Sequence, residues 1–133
     1  MKIDWEALVA AARAARERAY APYSDYPVGA ALMAADGSIH AACNVENGIP
    51  ALSTCAERLA VAAAVHAGHH DFAALAVVTE SSPPARPCGL CRQTLSEFER
   101  DLPILCVNED GVREETTLAE LFPAAFRFAE AKR

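Results

Sequence analysis

Residues 72–107 read FAALAVVTESSPPARPCGLCRQTLSEFERDLPILCV. The apolar run Phe72–Thr79 predicts a buried strand, and Pro83, Pro84 and Pro87 predict an irregular loop after it. Cys88, Cys91, Leu95 and Phe98 then recur at helical spacing, and Ile104–Val107 predicts another strand. Strands joined through helices need crossover connections within a sheet whose faces are both covered, so the class that follows is α/β.

The flanking sequence extends this pattern in both directions. Trp5, Leu8, Ala12, Ala15 and Ala19 predict a helix from about Trp5 to Tyr20, with Asp4 as its N-cap. Pro22 and Pro27 bracket a loop, and the runs Val28–Ala34 and Ser38–Asn44 flank Asp36-Gly37, which predicts a hairpin. Thr54–Glu57 open a second helix, with Ala56, Leu59, Ala60 and Ala63 as its apolar face and Gly68 to end it. Downstream, Asp110-Gly111 predicts a turn before a short strand near Val112, and Thr117 and Glu120 open a last helix over Leu118–Phe122. The order α, β, β, α, β, α, β, β, α describes a three-layer α/β domain. Ligands of such sheets gather beyond strand ends, where the following helices present their first turns.

The chain has 133 residues, room for a single domain over residues 1–133. Hydrophobic residues make up 53% and charged residues 23%, which fits an ordinary globular protein and excludes disordered and fibrous classes. Twelve Lys and Arg against eighteen Asp and Glu give a net charge of −6, which opposes binding to a nucleic acid polymer. No apolar run is long enough to cross a membrane, and the amino terminus lacks a signal-peptide pattern, so the expected location is cytoplasmic. Five cysteines in such a compartment point to metal binding, catalysis or burial rather than disulfides.

Cys88 and Cys91 place two sulfurs on the opening turn of one helix, where the positive helix end favours thiolates. A CxxC pair alone equally suits a redox motif or half of a structural zinc knuckle. Cys55, 33 residues before Cys88, sits on the first turn of another helix and supplies a third thiolate. Three protein ligands leave one tetrahedral position open, which distinguishes a catalytic zinc from a closed one. Glu57 is not needed as a ligand and is available to move protons. Three thiolates on a divalent cation leave a net negative charge, and Arg58 is favoured over Arg92 to offset it with hydrogen bonds to sulfur. Duller readings exist for each residue. Thr54 and Glu57 fit a capping box, Cys88 and Cys91 fit a buried apolar pair, and Arg58 and Arg92 fit surface charge. Cys43 and Cys106 read as core packing, and His66, His69 and His70 as surface residues at a helix end.

The segments Tyr20-Ala-Pro-Tyr-Ser24, Pro27-Val-Gly-Ala-Ala31, Cys43-Asn-Val-Glu-Asn47, Cys55-Ala-Glu-Arg58 and Pro87-Cys-Gly-Leu-Cys-Arg-Gln93 together resemble cytidine deaminase, the small homotetrameric form that acts on free nucleosides. The cysteine and glutamate pattern is an established signature of zinc deaminases. Polynucleotide-acting relatives usually have His as the first ligand, where this chain has Cys55.

The resemblance implies the three-layer α/β/α cytidine deaminase-like fold with a mixed five-stranded sheet. It implies one Zn2+ per chain on Cys55, Cys88 and Cys91, and water activated by zinc that adds at C4 of cytosine. Glu57 then carries a proton to N3 and to the departing amine, in hydrolysis of cytidine and 2′-deoxycytidine for pyrimidine salvage. Asn44 and Glu46 match a pair that binds the ribose, and their spacing in an extended strand end lets them face one way. Tyr26 stands where the family usually has a Phe packed on the pyrimidine, Ala56 offers its backbone N–H to the base carbonyl, and Phe126 matches a residue given to a neighbouring subunit's pocket. The implied assembly is a homotetramer with pockets completed between subunits. Pro50 replaces a common aromatic, which leaves a related aminated nucleoside or nucleoside antibiotic as an alternative substrate, and a zinc or thiol module as an alternative class. Arg86 replaces a common Ser, with no account from sequence.

Overall fold

The computed structural model describes residues 2–128. Helix α1 (Trp5–Arg16) begins at Asp4, whose side chain accepts a hydrogen bond from the Ala7 backbone N–H. It stops one turn short of Tyr20, because the Tyr20 backbone is used elsewhere. Its N–H donates to the Asn44 carbonyl at 3.0 Å, and its carbonyl accepts from the Glu46 N–H at 2.8 Å. The predicted hairpin forms from β1 (Gly29–Ala34) and β2 (Ile39–Cys43), turning through Gly37 at φ +89°. After β2 comes a short 3-10 helix at Pro50–Leu52, which the sequence pattern did not reveal, and then α2 (Ala56–His66).

Strand β3 (Phe72–Thr79) leads through the proline-rich loop into α3 (Gly89–Ser96), which returns to β4 (Pro103–Asn108). Strand β5 (Arg113–Thr117) and the short α4 (Leu118–Leu121) complete the described elements. The sheet order is β2-β1-β3-β4-β5, with β3 and β4 parallel and the other neighbours antiparallel, so the sheet is mixed and five-stranded.

Alternation along the strands produces two cores. Ala30, Leu32, Leu75, Val77, Ile104 and Cys106 face the layer with α2 and α3, while Ala31, Met33, Ala76, Val78, Leu105 and Val107 face α1. The face that α2 buries is rotated from the one expected. Ala56, Glu57, Ala60, Val61 and Ala64 are buried, Leu59 is half-buried and Ala63 is exposed.

Helix α1 lies close against β1 at Gly29. A Cβ there would stand 1.9 Å from the Ala12 carbonyl oxygen and 2.7 Å from the Arg16 nitrogen. Gly29→Ala is therefore expected to destabilise the protein by about 1–3 kcal/mol or more, through displacement of backbone rather than a flexible side chain. The urea midpoint measures this.

Candidate active site

The two antiparallel turns of the topology bring three segments to one end of the sheet: the chain entering β1, the chain leaving β2 and the loop leaving β3. The first turns of α2 and α3 meet there. Cys55 and Cys88 are the N-cap residues of these helices, each with extended backbone and no side-chain cap hydrogen bond, so their sulfurs turn toward one another. Cys55 Sγ lies 3.6 Å from Cys88 Sγ, Cys88 Sγ lies 3.4 Å from Cys91 Sγ, and all three fall within 4.8 Å of one another. Three thiolates at tetrahedral zinc stand about 3.8 Å apart, so the spacing fits one such ion closely. Among the described residues, this is the group of three or more His, Cys, Asp or Glu side chains that can hold a metal.

The thiols are electrostatically unequal. Cys55 is held down to about 5, chiefly by its hydrogen bond with Cys91, with Cys88 and the Arg58 guanidinium adding to this against burial. Cys91 is pushed up by that same hydrogen bond with Cys55 and by burial. Arg58 donates from one terminal nitrogen to the Ser53 carbonyl at 3.3 Å, and its buried Nε has no hydrogen-bond partner. An orphaned guanidinium N–H beside a thiol cluster suits the anionic ligands that a soft divalent metal requires. Arg92 points elsewhere: it donates to the carbonyls of Pro87 at 2.7 Å and Leu121 at 2.8 Å, bracing the loop before α3 to α4.

Glu57 is only 5% exposed and lines the same cavity as Cys55 and Cys88. Burial first, and then the neighbouring Cys55 charge, push its carboxyl up to about 7. The capping box does not form. The Thr54 hydroxyl donates to the Leu52 carbonyl at 3.3 Å, and no side chain caps α2. Ala56, the first residue of α2, lines the cavity, and its N–H has no acceptor within the helix.

The cavity encloses about 360 Å³. Tyr26, Asn44 and Glu46 join Ala56 and Glu57 in its wall, together with Ser24, Thr79 and Arg86. Asn44 and Glu46 are also braces. Asn44 accepts from the Val28 N–H and donates to the Tyr26 carbonyl, both at 2.9 Å. Glu46 Oε1 accepts from the N–H groups of Tyr23 at 2.9 Å and Ser24 at 3.2 Å, and Oε2 accepts from the Ser24 hydroxyl at 2.5 Å. These bonds, that of the Ser24 hydroxyl foremost, hold the Glu46 carboxyl below its usual range.

Arg86, unexplained in the sequence, forms an ion pair with Glu114 of β5 at 3.1 Å and so ties the loop before α3 to the sheet edge. Phe126 is 60% exposed and stands outside the cavity wall, its carbonyl accepting from Gln93 at 2.9 Å. Pro50 opens the 3-10 helix, with Ile49 and Leu52 exposed beside it. Cys106 is buried in the core and Cys43 is half-buried, neither of them in the sulfur trio. His66 and His70 are exposed, but His69 is half-buried. Its Nε2 lies 3.4 Å from the Ser38 hydroxyl, and its ring packs against His40 with centroids 4.9 Å apart and planes tilted by 47°, because the loop after α2 packs against the hairpin turn.

A sulfur trio that opens onto a cavity containing a buried carboxylate belongs to the hydrolytic class of metal enzymes, since a closed structural site leaves no room for water and substrate. Residues 2–106 match the family described as the cytidine and deoxycytidylate deaminase zinc-binding region, and the chain belongs to that family. It is 49% identical to a cytidine deaminase of Sporosarcina psychrophila, over 93% of this chain and 92% of that one. A cytidine deaminase of Halalkalibacterium halodurans is 42% identical, over 93% and 95% of the two chains. The crystal structure of cytidine deaminase from Burkholderia pseudomallei, 46% identical, superposes with a TM-score of 0.89 over 93% of this chain and all of that one. The fold expected from the resemblance is the one observed, and the protein is a zinc-binding hydrolase.

Proposed function

We propose that this protein hydrolyses cytidine and 2′-deoxycytidine to uridine and 2′-deoxyuridine with release of ammonia. The observation that carries the reading is the buried Glu57 carboxyl in one cavity with the metal-binding sulfurs. Zinc, held by Cys55, Cys88 and Cys91, supplies the Lewis acidity that makes water reactive at neutral pH. Glu57 delivers a proton to ring N3, takes up the proton released by the water that adds at C4 and passes it to the amine, which departs as ammonia, and the proton lost by the new C4 hydroxyl as it becomes the carbonyl restores the carboxyl. The Ala56 N–H binds the base carbonyl, the Tyr26 ring faces the base, and Asn44 and Glu46 meet the sugar. Arg58 offsets the charge of the thiolates.

Charge on the cavity wall favours a nucleoside over a nucleotide. Among the described residues, the cation of the wall, Arg86, is already paired with Glu114, and Glu46 adds a carboxylate. Among the described side chains of the wall, a phosphate would find no unpaired cation. The reading includes a cytoplasmic role in pyrimidine salvage and a homotetramer in which Phe126 completes a neighbour's pocket. Among the described residues, no helix is long and apolar enough to cross a membrane. The exposure of Ile49, Leu52, Leu90 and Phe126, at 59–64%, supports burial of these side chains between subunits.

Ammonia release from cytidine, 2′-deoxycytidine, cytosine, adenosine, cytidine 5′-monophosphate and blasticidin S tests the reading. Turnover of the two free cytosine nucleosides alone is expected. Equal turnover of the monophosphate contradicts the charge argument, and preference for blasticidin S reassigns the substrate to the nucleoside antibiotic.

Glu46→Gln is expected to raise KM for cytidine about tenfold, with a smaller change in kcat, because it weakens both the sugar contact and the 23–24 brace. The folded Glu46 pKa is depressed, so the brace is complete above the ordinary carboxylate range and is lost as pH falls through the folded value. The Ser24 amide resonance is expected to titrate in wild type over that acidic window and to stay constant in Glu46→Gln.

A further inference from the structure

The cavity wall has two halves carried by different loops. Ser24, Tyr26 and Val28 come from the chain entering β1, whereas Ala85 and Arg86 come from the loop leaving β3. A string of hydrogen bonds joins them. Glu46 accepts from the Ser24 hydroxyl at 2.5 Å, and that hydroxyl accepts from the Tyr26 N–H at 3.1 Å. The Tyr26 hydroxyl then bonds the Ser81 hydroxyl on the opposite loop. The Ser81 N–H donates to Thr79 Oγ1 at 3.4 Å, and the same oxygen accepts from the Ala85 N–H at 3.4 Å. The Tyr26 to Ser81 bond is therefore the step at which the string crosses from one loop to the other.

We propose that Tyr26 and Ser81 form a clasp that sets the spacing of the two loops and preorganises the cavity for its nucleoside, so that their hydroxyls govern KM. The inference rests on the nucleoside reading above. The Tyr26 ring has the contact with the base already assigned to it, and the clasp assigns a separate task to its hydroxyl. Ser81 is not part of the cavity wall, which makes it a positioning residue that acts through Tyr26 and Thr79.

The expected division between KM and kcat follows from what each element holds. Without the clasp the loops sample wider separations, and apparent affinity falls by the fraction of molecules with the competent spacing. Cys55, Glu57, Cys88 and Cys91 are held by α2 and α3, with Cys55 and Cys88 as the N-cap residues, so once substrate is bound the reacting groups stand where they stood before. Loss of the clasp thus weakens ground state and transition state alike, which raises KM and spares kcat.

The test uses zinc-loaded Tyr26→Phe, Ser81→Ala and the double variant, since Phe retains the ring and Ser81→Ala removes no wall residue. Each single variant is expected to raise KM for cytidine about threefold to tenfold, with kcat within about twofold, as suits one hydrogen bond. The double variant is expected to be no worse than the weaker single, because both remove the same bond. Amide exchange at Ser81 and Ala85 is expected to quicken in Tyr26→Phe. Unchanged KM in both singles, additive effects in the double, or unchanged exchange at both amides overturns the clasp. A wild-type protein that does not turn over cytidine overturns the nucleoside reading instead, and exchange at Ser81 and Ala85 then decides the clasp by itself.

Discussion

Glu57→Gln is expected to lower turnover of cytidine by at least about 10²–10⁴-fold while zinc content and fold persist. Gln matches Glu in shape, so the packing around this 5%-exposed position is kept and only the capacity to carry a proton is lost. The physical reason for the size of the effect is that the proposed reaction moves protons to two separate atoms, ring N3 and the amine, and assigns both transfers to one buried carboxyl. Burial that pushes this carboxyl up to about 7 is unfavourable for folding at neutral pH, yet it matches the proton affinity that general acid and base work requires. Loss of kcat with retained zinc and an unchanged or higher melting temperature is the expected combination. Near-native turnover of the variant contradicts the role assigned to Glu57.

Cys91→Ala is expected to abolish zinc retention and activity together. Cys91 is fully buried, its sulfur is 3.4 Å from that of Cys88, and it belongs to a trio that links the starts of α2 and α3. Two remaining thiolates bind a divalent ion far more weakly than three, and the metal's contribution to holding the two helices together is lost with it. Cys43→Ala is the matched control, since Cys43 lies outside the trio. Zinc analysis and melting curves are expected to show about one ion per chain in Cys43→Ala and none in Cys91→Ala, with the latter melting at least about 5 °C lower. A Cys91→Ala protein that keeps its zinc through dialysis contradicts the ligand set.

The sequence pattern is most informative where local spacing and tertiary demand coincide. Phe72–Thr79 and the Cys88, Cys91, Leu95 periodicity are both local signals, and the strand forms with the expected bounds while the helix runs from Gly89 to Ser96 and stops before Phe98. The α1 terminus departs because Tyr20 is claimed by a distant bridge to Val45, which helix propensity does not register. Strand β5 departs for the opposite reason. Its residues Arg113–Thr117 are all polar, with Glu114 and Thr116 only half-buried at the sheet edge, so no apolar alternation marks it, and the apolar residue that precedes it, Val112, falls in the turn.

Within the site, the three cysteines and Glu57 are legible because metal and proton chemistry restrict the residue types allowed. Ser24, Ser81 and Thr79 carry no such restriction. Their hydroxyls acquire meaning only when the loops before β1 and after β3 are brought together, and the same holds for the pairing of Arg86 with Glu114. Asn44 and Glu46 sit between these cases. Their common direction follows from strand spacing, but their service as braces for residues 23–28 depends on the tertiary fold.

The most direct test of the account is uridine formation from cytidine by protein stripped of metal and then titrated with zinc. Activity is expected to be absent at the start, to rise in proportion to bound zinc, and to level at one ion per chain. Activity that is undiminished in the stripped protein, or absent in protein holding one zinc on each chain, would contradict the assignment of this site to zinc-dependent deamination.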